Sequence, residues 1–136
     1  MKYLLDTNVV SAARKQTEPV VGWLLGKNSA DLYLSVLTLG EIARGAEMKR
    51  RRDPTAAGHL DAWLEKTRSA FSDRTLPVSE AIATEWGRLS ALRTRGDVDG
   101  LIAATAIVHG YAVVTRNKAD FADLGIMVID PWTEFG

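Results

Sequence analysis

Short runs of apolar and β-branched residues alternate along this chain with longer segments of helical periodicity. The strand candidates are Lys2–Asp6, Leu32–Val36, Thr75–Val78, Tyr111–Thr115 and Ile126–Ile129. Strands separated by helices pair in parallel through crossover connections, so the pattern predicts an α/β sandwich. The chain has 136 residues, of which 46% are hydrophobic and 25% charged, as is typical of one globular domain. We therefore expect residues 1–136 to form a single domain.

The helical segments carry recognisable start and stop signals. One helix is expected to begin near Asn8, and a second has Pro19 near its first turn and Gly26 as its stop. A third is predicted to begin at Thr38 and to stop by Pro54. Apolar spacing of three to four residues predicts the remaining helices. These lie around Leu60–Phe71, Ile82–Leu89, Leu101–Val108 and Asn117–Asp123.

Several classes of protein are excluded by composition alone. The chain has no cysteine, which excludes disulfides, thiolate zinc sites, iron–sulfur clusters and cysteine nucleophiles. The apolar run between Asp99 and His109 is far shorter than the roughly 20 residues of a membrane span. Lys2 is followed at once by the strand ending at Asp6, with no apolar signal segment. We expect a cytoplasmic protein with no membrane contact.

Four carboxylates fall at or just after predicted strand ends. Asp6 closes the first strand, and Glu41 is expected in the first turn of the helix beginning at Thr38. Asp99 precedes the apolar helix, and Asp120 lies in the first turn after the fourth strand. In an open parallel sheet, strand ends and the following helix starts share one edge, where ligands bind. The four acids are therefore predicted to face one rim.

Helix capping is the alternative explanation for each of these acids. An acid in a first turn satisfies free N–H groups and the helix dipole, which contributes about 0.3–1 kcal/mol. Thr38 and Glu41 have the spacing of a capping box, and so do Asn117 and Asp120. Taken singly, each acid is explained by capping, whereas their expected convergence on one edge favours a binding site.

Electrostatics predicts what such a cluster would bind. Two carboxylates about 5 Å apart repel by roughly 3.3 kcal/mol at an effective dielectric constant near 20. Three or four in one pocket at neutral pH therefore need protons or a cation. Oxygen ligands without cysteine or clustered histidine favour Mg²⁺ or Mn²⁺. Such an ion polarises a phosphoryl oxygen and lowers the pKa of water, which is the chemistry of phosphodiester hydrolysis.

Five segments, in order along the chain, resemble one known family. They are Tyr3–Ser11 (YLLDTNVVS), Ser35–Gly45 (SVLTLGEIARG), Asp99–Ala106 (DGLIAATA), Val113–Phe121 (VVTRNKADF) and Val128–Trp132 (VIDPW). The chain resembles the PIN-domain nucleases, specifically the VapC-type toxins of type II toxin–antitoxin pairs, and within them the FitB-like branch. The resemblance implies a three-layer sandwich with a central parallel sheet of five strands. It also implies a Mg²⁺- or Mn²⁺-dependent endoribonuclease that hydrolyses RNA with a metal-activated water.

The resemblance also implies roles for individual residues. Its metal-binding and catalytic acids match Asp6, Glu41, Asp99 and Asp120, with Asn8, Thr115, Asn117 and Arg116 as supporting residues. Many relatives carry an acid at the position of Asn117, so here either Asp120 fills the fourth place or the site has three acids. Val98 and Gly100 depart from the more usual Pro-Asp-Ala around the third acid.

The same resemblance implies partners. It predicts a cognate VapB-type antitoxin, an RNA substrate, a homodimer, and promoter DNA bound only through the antitoxin. The alternative is a catalytically weak PIN domain that serves as a binding partner in an antitoxin–DNA repressor complex. Two other α/β classes fit poorly. A receiver module needs an acidic pair after the first strand, and a haloacid-dehalogenase phosphatase needs Asp-x-Asp, where this chain has Asn8.

Net charge at first argues against a nucleic-acid partner. The 17 basic and 17 acidic side chains balance, whereas affinity for phosphates ordinarily requires a cationic surface. If at least three of the acids hold a cation, the rest of the surface carries an excess of basic groups. Arg116 and Lys118 flank the predicted rim, while Lys49–Arg52 is better explained as a solvated helix end. Neutrality is therefore compatible with an RNA substrate.

Overall fold

The computed structural model describes residues 1–133. Residues 134–136, the end of the predicted domain, lie outside the described range. No helix in the described part of the chain is both long and apolar enough to cross a membrane.

A sheet of five parallel strands forms the centre of the molecule, as predicted. The strands are β1 (Tyr3–Leu5), β2 (Leu32–Ser35), β3 (Thr75–Leu76), β4 (Ala112–Val114) and β5 (Val128–Ile129), in the order β3-β2-β1-β4-β5. Tyr3 pairs with Leu32 on one side and with Ala112 on the other, which places β1 at the middle of the sheet. All five predicted strands are present, but each is shorter than its apolar run.

Within residues 1–133, six α-helices are present and connect the strands. They are α1 (Thr7–Arg14), α2 (Val20–Leu25), α3 (Val36–Arg50), α4 (Pro54–Ala70), α5 (Glu80–Leu92) and α6 (Asp97–His109). The predicted signals for α2 are confirmed, since Pro19 precedes its first residue and Gly26 follows its last. Gly110 ends α6 with a φ of 71°, a conformation that glycine adopts without steric cost.

The strand alternation separates two hydrophobic cores, one on each face of the sheet. Leu5 and Val114 belong to the core that contains Val9, Trp23 and Ile42 of α1, α2 and α3. Their strand neighbours Leu4 and Val113 face the opposite core, formed mainly by α5 and α6. This places helices on both faces of the sheet, which confirms the predicted three-layer architecture.

Three predicted helix boundaries are wrong. Ser35 caps α3 through its hydroxyl, so the helix begins two residues before Thr38 and Glu41 lies in its second turn. Helix α6 begins at Asp97, so Asp99 lies inside its first turn and does not precede the helix. The helix predicted at Asn117–Asp123 is a single 3-10 turn, Lys118–Asp120. In each case the hydrophobic pattern located the element, but the backbone hydrogen bonds set its ends.

Candidate active site

Asp6 lies where β1 passes into α1, at the carboxyl edge of the sheet. It is 4% exposed, and its Oδ1 accepts a hydrogen bond of 2.8 Å from the Thr7 N–H as the cap of α1. Its Oδ2 accepts one of 2.8 Å from the Thr115 hydroxyl. Burial raises the pKa of Asp6, and the charges of Asp99 and Glu41 raise it further, while these two hydrogen bonds oppose the shift.

Asn8 and Thr115 connect Asp6 to the end of β4. The Asn8 amide lies 3.4 Å from Asp6 Oδ2 and 3.3 Å from the buried Thr115 hydroxyl. Asn8 Oδ1 accepts from the Arg116 N–H at 3.2 Å, and Thr115 Oγ1 accepts from the Asn117 N–H at 3.0 Å. These bonds fix the loop after β4 against the start of α1.

Glu41 approaches the same edge from α3. Its Oε1 accepts a hydrogen bond of 2.5 Å from the hydroxyl of Thr7, the residue next to Asp6. The Thr7 hydroxyl also lies 3.1 Å from that of Thr38, which is fully buried. Thr7 therefore links the first and second predicted acids directly.

Asp99 and Asp120 complete the set of acids at this edge. Burial raises the pKa of Asp99, with further contributions from the charges of Asp120 and Glu41. The charge of Asp99 also raises the pKa of Asp6. The charge of Asp99 therefore interacts with those of Asp6, Glu41 and Asp120. Four carboxylates from four different parts of the chain thus lie near enough for the charges of the other three to act on Asp99, although not near enough to share one ion as they stand.

Of these four acids, only Asp6 makes a side-chain capping hydrogen bond. Asp6 caps α1, but the cap of α3 is Ser35 rather than Thr38. Gly96 precedes α6 with no side-chain cap, and Asn117 makes no side-chain cap to the turn that contains Asp120. Neither of the two capping boxes that the sequence allowed is formed.

The turn that carries Asp120 is tied to the loop that leads into α6. Arg93 and Arg95 both pair with Asp123, at 2.8 and 3.0 Å, and the Arg95 side chain is only 3% exposed. Asp123 lies three residues after Asp120, and Arg95 lies four residues before Asp99. These two ion pairs restrict how far Asp99 and Asp120 can move apart.

The donor set fits a hard divalent cation in its chemistry. All four groups are carboxylates, and none of them forms an ion pair with a basic side chain within residues 1–133. As they stand, however, no three acidic or histidine side chains of the described chain are close enough to hold one ion between them. Asp6 is fixed by its hydrogen bonds, whereas Glu41, Asp99 and Asp120 are only half-buried.

The predicted supporting residues differ in their placement. Asn8 and Thr115 contact Asp6, as described above, and Arg116 is exposed with its guanidinium 5.0 Å from the centroid of the Trp132 ring. The side chain of Asn117 is exposed, and only its backbone takes part in the network. Of the two candidates for the fourth place, Asp120 is the one whose charge acts on Asp99.

Sequence reasoning missed Thr7, the capping role of Ser35, and the contact of Thr38 with Thr7. Thr7 and Glu41 are 34 residues apart, and no local pattern signals a contact over that distance. The one available signal was the position of Thr7, directly after an acid that ends a strand.

A family model described as PIN domain matches residues 3–126 of the chain. The chain is 34% identical to VapC ribonuclease Y4jK of Sinorhizobium fredii, covering 95% of this chain and 96% of the relative. It is 32% identical to toxin FitB of Neisseria gonorrhoeae, over 95% and 97% of the two chains.

Solved structures give the same result. The structure of FitAB bound to an IR36 DNA fragment aligns with a TM-score of 0.85 and 30% identity, covering 98% of each chain. A toxin–antitoxin complex from Klebsiella pneumoniae aligns with a TM-score of 0.74 and 25% identity, over 96% of this chain and 98% of the other. The predicted resemblance is confirmed: this chain belongs to the PIN-domain family, with VapC ribonuclease and toxin FitB among its full-length relatives.

Proposed function

We propose that this chain, as a single PIN domain over residues 1–136, is the endoribonuclease toxin of a toxin–antitoxin pair. The observation that carries the proposal is the placement of acids at the carboxyl edge of the sheet of a PIN fold, where Thr7 bonds to both Asp6 and Glu41. A full-length relative is named as a VapC ribonuclease, and another as a toxin. Structural relatives are a toxin–antitoxin complex and a FitAB complex bound to DNA. They support a VapB-type antitoxin as partner, with promoter DNA reached through it.

The cofactor of this proposal is Mg²⁺ or Mn²⁺, held by Asp6, Glu41, Asp99 and Asp120. When bound, the ion supplies a Lewis acid for a phosphoryl oxygen and lowers the pKa of water. Asp6 is the fixed member, since Thr7 and Thr115 hold both of its oxygens. Glu41, Asp99 and Asp120 are half-buried and would supply the other carboxylate oxygens to the ion.

Other side chains at the site orient the acids or hold the neighbouring loop in place. Thr7 orients Glu41, and Asn8 holds the loop after β4 in place beside Asp6. Both histidines are exposed, His59 on α4 and His109 at the far end of α6, so neither is placed for proton transfer. Proton transfer therefore falls to a carboxylate of the cluster or to water.

The direct test is cleavage of single-stranded RNA by the purified chain. We expect cleavage with Mg²⁺ or Mn²⁺ and none with EDTA. Asp6→Asn should abolish cleavage while leaving the circular dichroism spectrum unchanged, because it removes one charge from the metal ligand set. Asp97→Asn, which removes an exposed charge in the first turn of α6, serves as the matched control and should remain active. Metal-dependent cleavage by Asp6→Asn at the wild-type rate would refute the assignment.

A further inference from the structure

A cavity of about 350 Å³ adjoins the acidic edge of the sheet. It lies between α1 and the loops that follow β4 and β5, and Asn8 forms part of its wall. The same Asn8 amide contacts Asp6 on the acidic side. The cavity and the acid cluster are therefore separated by one side chain.

The lining of this cavity is basic and hydroxylated rather than acidic. Lys15 and Arg116 supply positive charge, and Ser11 and Thr17 supply hydroxyl groups. Both cations are exposed, and neither forms an ion pair within the described residues. Other arginines of the chain, such as Arg50 with Asp61, are paired with carboxylates. The charges of Lys15 and Arg116 are thus available to an anionic ligand.

Arg116 is held in place without the use of its side-chain donors. Its backbone N–H donates to Asn8 Oδ1 at 3.2 Å, and its guanidinium stacks over the Trp132 ring. Trp132 in turn packs against the core, and its backbone N–H donates to Oδ1 of buried Asp130 at 2.9 Å. A stacked guanidinium keeps its N–H groups free for phosphate, and less entropy is lost when they bind.

We propose that this cavity is a phosphate subsite, in which Lys15 and Arg116 bind a phosphodiester of the RNA strand next to the one that is cleaved. The inference rests on the proposed function. The acid cluster alone repels a polyanion, so a substrate strand needs cationic contacts close to it. Lys15 and Arg116 supply them in a cavity whose wall includes Asn8, the neighbour of Asp6, while Trp132 acts as a positioning residue for Arg116.

Binding of a fluorescein-labelled 12-nucleotide single-stranded RNA, followed by anisotropy in EDTA, tests the subsite without cleavage. Lys15→Gln and Arg116→Gln should each weaken binding several-fold. Each should also make the negative slope of log affinity against log salt concentration shallower by about 0.7. Arg116→Lys keeps the charge, so its salt slope should match that of the wild type. Its affinity should lie between those of the wild type and Arg116→Gln. Arg51→Gln, at the end of α3, removes an exposed cation far from the cavity and is the control. Arg51→Gln should change neither the RNA affinity nor the salt slope.

Kinetics with Mn²⁺ separates the subsite from the nuclease assignment. The Gln variants should raise KM with little change in kcat, because they remove binding to a part of the substrate that does not react. If the wild type cleaves RNA but Lys15→Gln and Arg116→Gln match Arg51→Gln in KM and salt slope, the subsite is refuted and the nuclease stands. If the wild type binds RNA through these residues and never cleaves it, the proposed function fails instead.

An acidic protein segment is the competing ligand for a basic cavity. A labelled 12-residue Asp/Glu peptide therefore serves as a second probe under the same conditions. Peptide binding that is lost in Lys15→Gln and Arg116→Gln, together with RNA binding that is unchanged in them, would overturn the proposal. Loss of RNA binding with at most weak peptide binding would support it.

Discussion

At the scale of single residues, Thr7 contributes most directly to the geometry of the acid cluster. Its N–H binds Asp6 and its hydroxyl binds Glu41, so one residue orients two carboxylates from β1 and α3. Residues that orient metal ligands typically contribute 10–100-fold to metal affinity or activity. The contact of Thr7 with Glu41 could not be predicted from the sequence, because it joins distant parts of the chain.

Replacement of Thr7 by Val removes the hydroxyl and keeps the shape of the side chain. We expect RNA cleavage or Mn²⁺ affinity to fall by roughly 10–100-fold, because Glu41 loses the group that orients it. Thr7→Ser restores the hydroxyl and should recover most of the loss. Equal activity of Thr7→Val and the wild type, measured as kcat/KM, would show that the hydroxyl does not orient Glu41.

At the scale of elements, the α5–α6 contact explains an unusual glycine. A Cβ on Gly100 would lie 3.0 Å from Trp86 Cδ1 and 3.2 Å from its Nε1. The Trp86 indole therefore occupies space that the alanine more usual at this position would take. Gly100 follows Asp99, so this packing also sets how the start of α6 approaches the sheet.

Two glycine substitutions separate packing from helix propensity. A Cβ on Gly87 of α5 would meet no neighbouring atom within 4 Å, so Gly87→Ala should raise the free energy of unfolding by roughly 0.5–1 kcal/mol. Gly100→Ala gains the same propensity but presses on Trp86, and we expect a net loss of about 1 kcal/mol. Urea unfolding of both variants measures the difference. A stabilised Gly100→Ala would mean that Trp86 moves aside freely.

The elements show which features the sequence could predict. Periodicity and β-branched runs located all five strands and the α/β class, since burial on two faces of a sheet leaves a clear pattern. Helix starts were harder, because Ser35 and Thr38 are both good caps and only the path of the chain after β2 selects Ser35. The four acids could be placed on one edge from topology alone, whereas their hydrogen-bond partners depend on tertiary contacts.

At the scale of the whole molecule, the acid cluster costs the metal-free protein stability. The folded state holds protons on Asp6 and Asp99 to a higher pH than the unfolded chain, in which these groups titrate near 3.8. Between 3.8 and the raised pKa values, the folded state binds more protons, so these two groups lower stability as pH rises. Above the raised values the penalty is complete, and a bound cation would relieve it.

The pair Asp99→Asn and Asp97→Asn tests this penalty. Both variants remove a carboxylate from the first turn of α6, and with it the same favourable interaction with the helix dipole. In EDTA at neutral pH, Asp99→Asn should therefore have the higher Tm, because the Asp99 carboxylate is half-buried and lies near the charges of Asp120 and Glu41, whereas Asp97 is exposed. The gap should narrow as the pH falls from the raised pKa of Asp99 toward 3.8, because the penalty on its carboxylate disappears over that range. Thermal unfolding at several pH values measures it, and a gap independent of pH would contradict the electrostatic explanation.

Mn²⁺ binding, counted from the electron paramagnetic resonance signal of the free ion, tests most directly whether the four acids act as one cation site. We predict that the wild type and Asp97→Asn bind Mn²⁺ with similar affinity. Asp99→Asn should bind at least about tenfold more weakly, since the lost charge interacts with every other member of the cluster. Equal Mn²⁺ affinity in Asp99→Asn and Asp97→Asn would contradict a single cation site built from these acids.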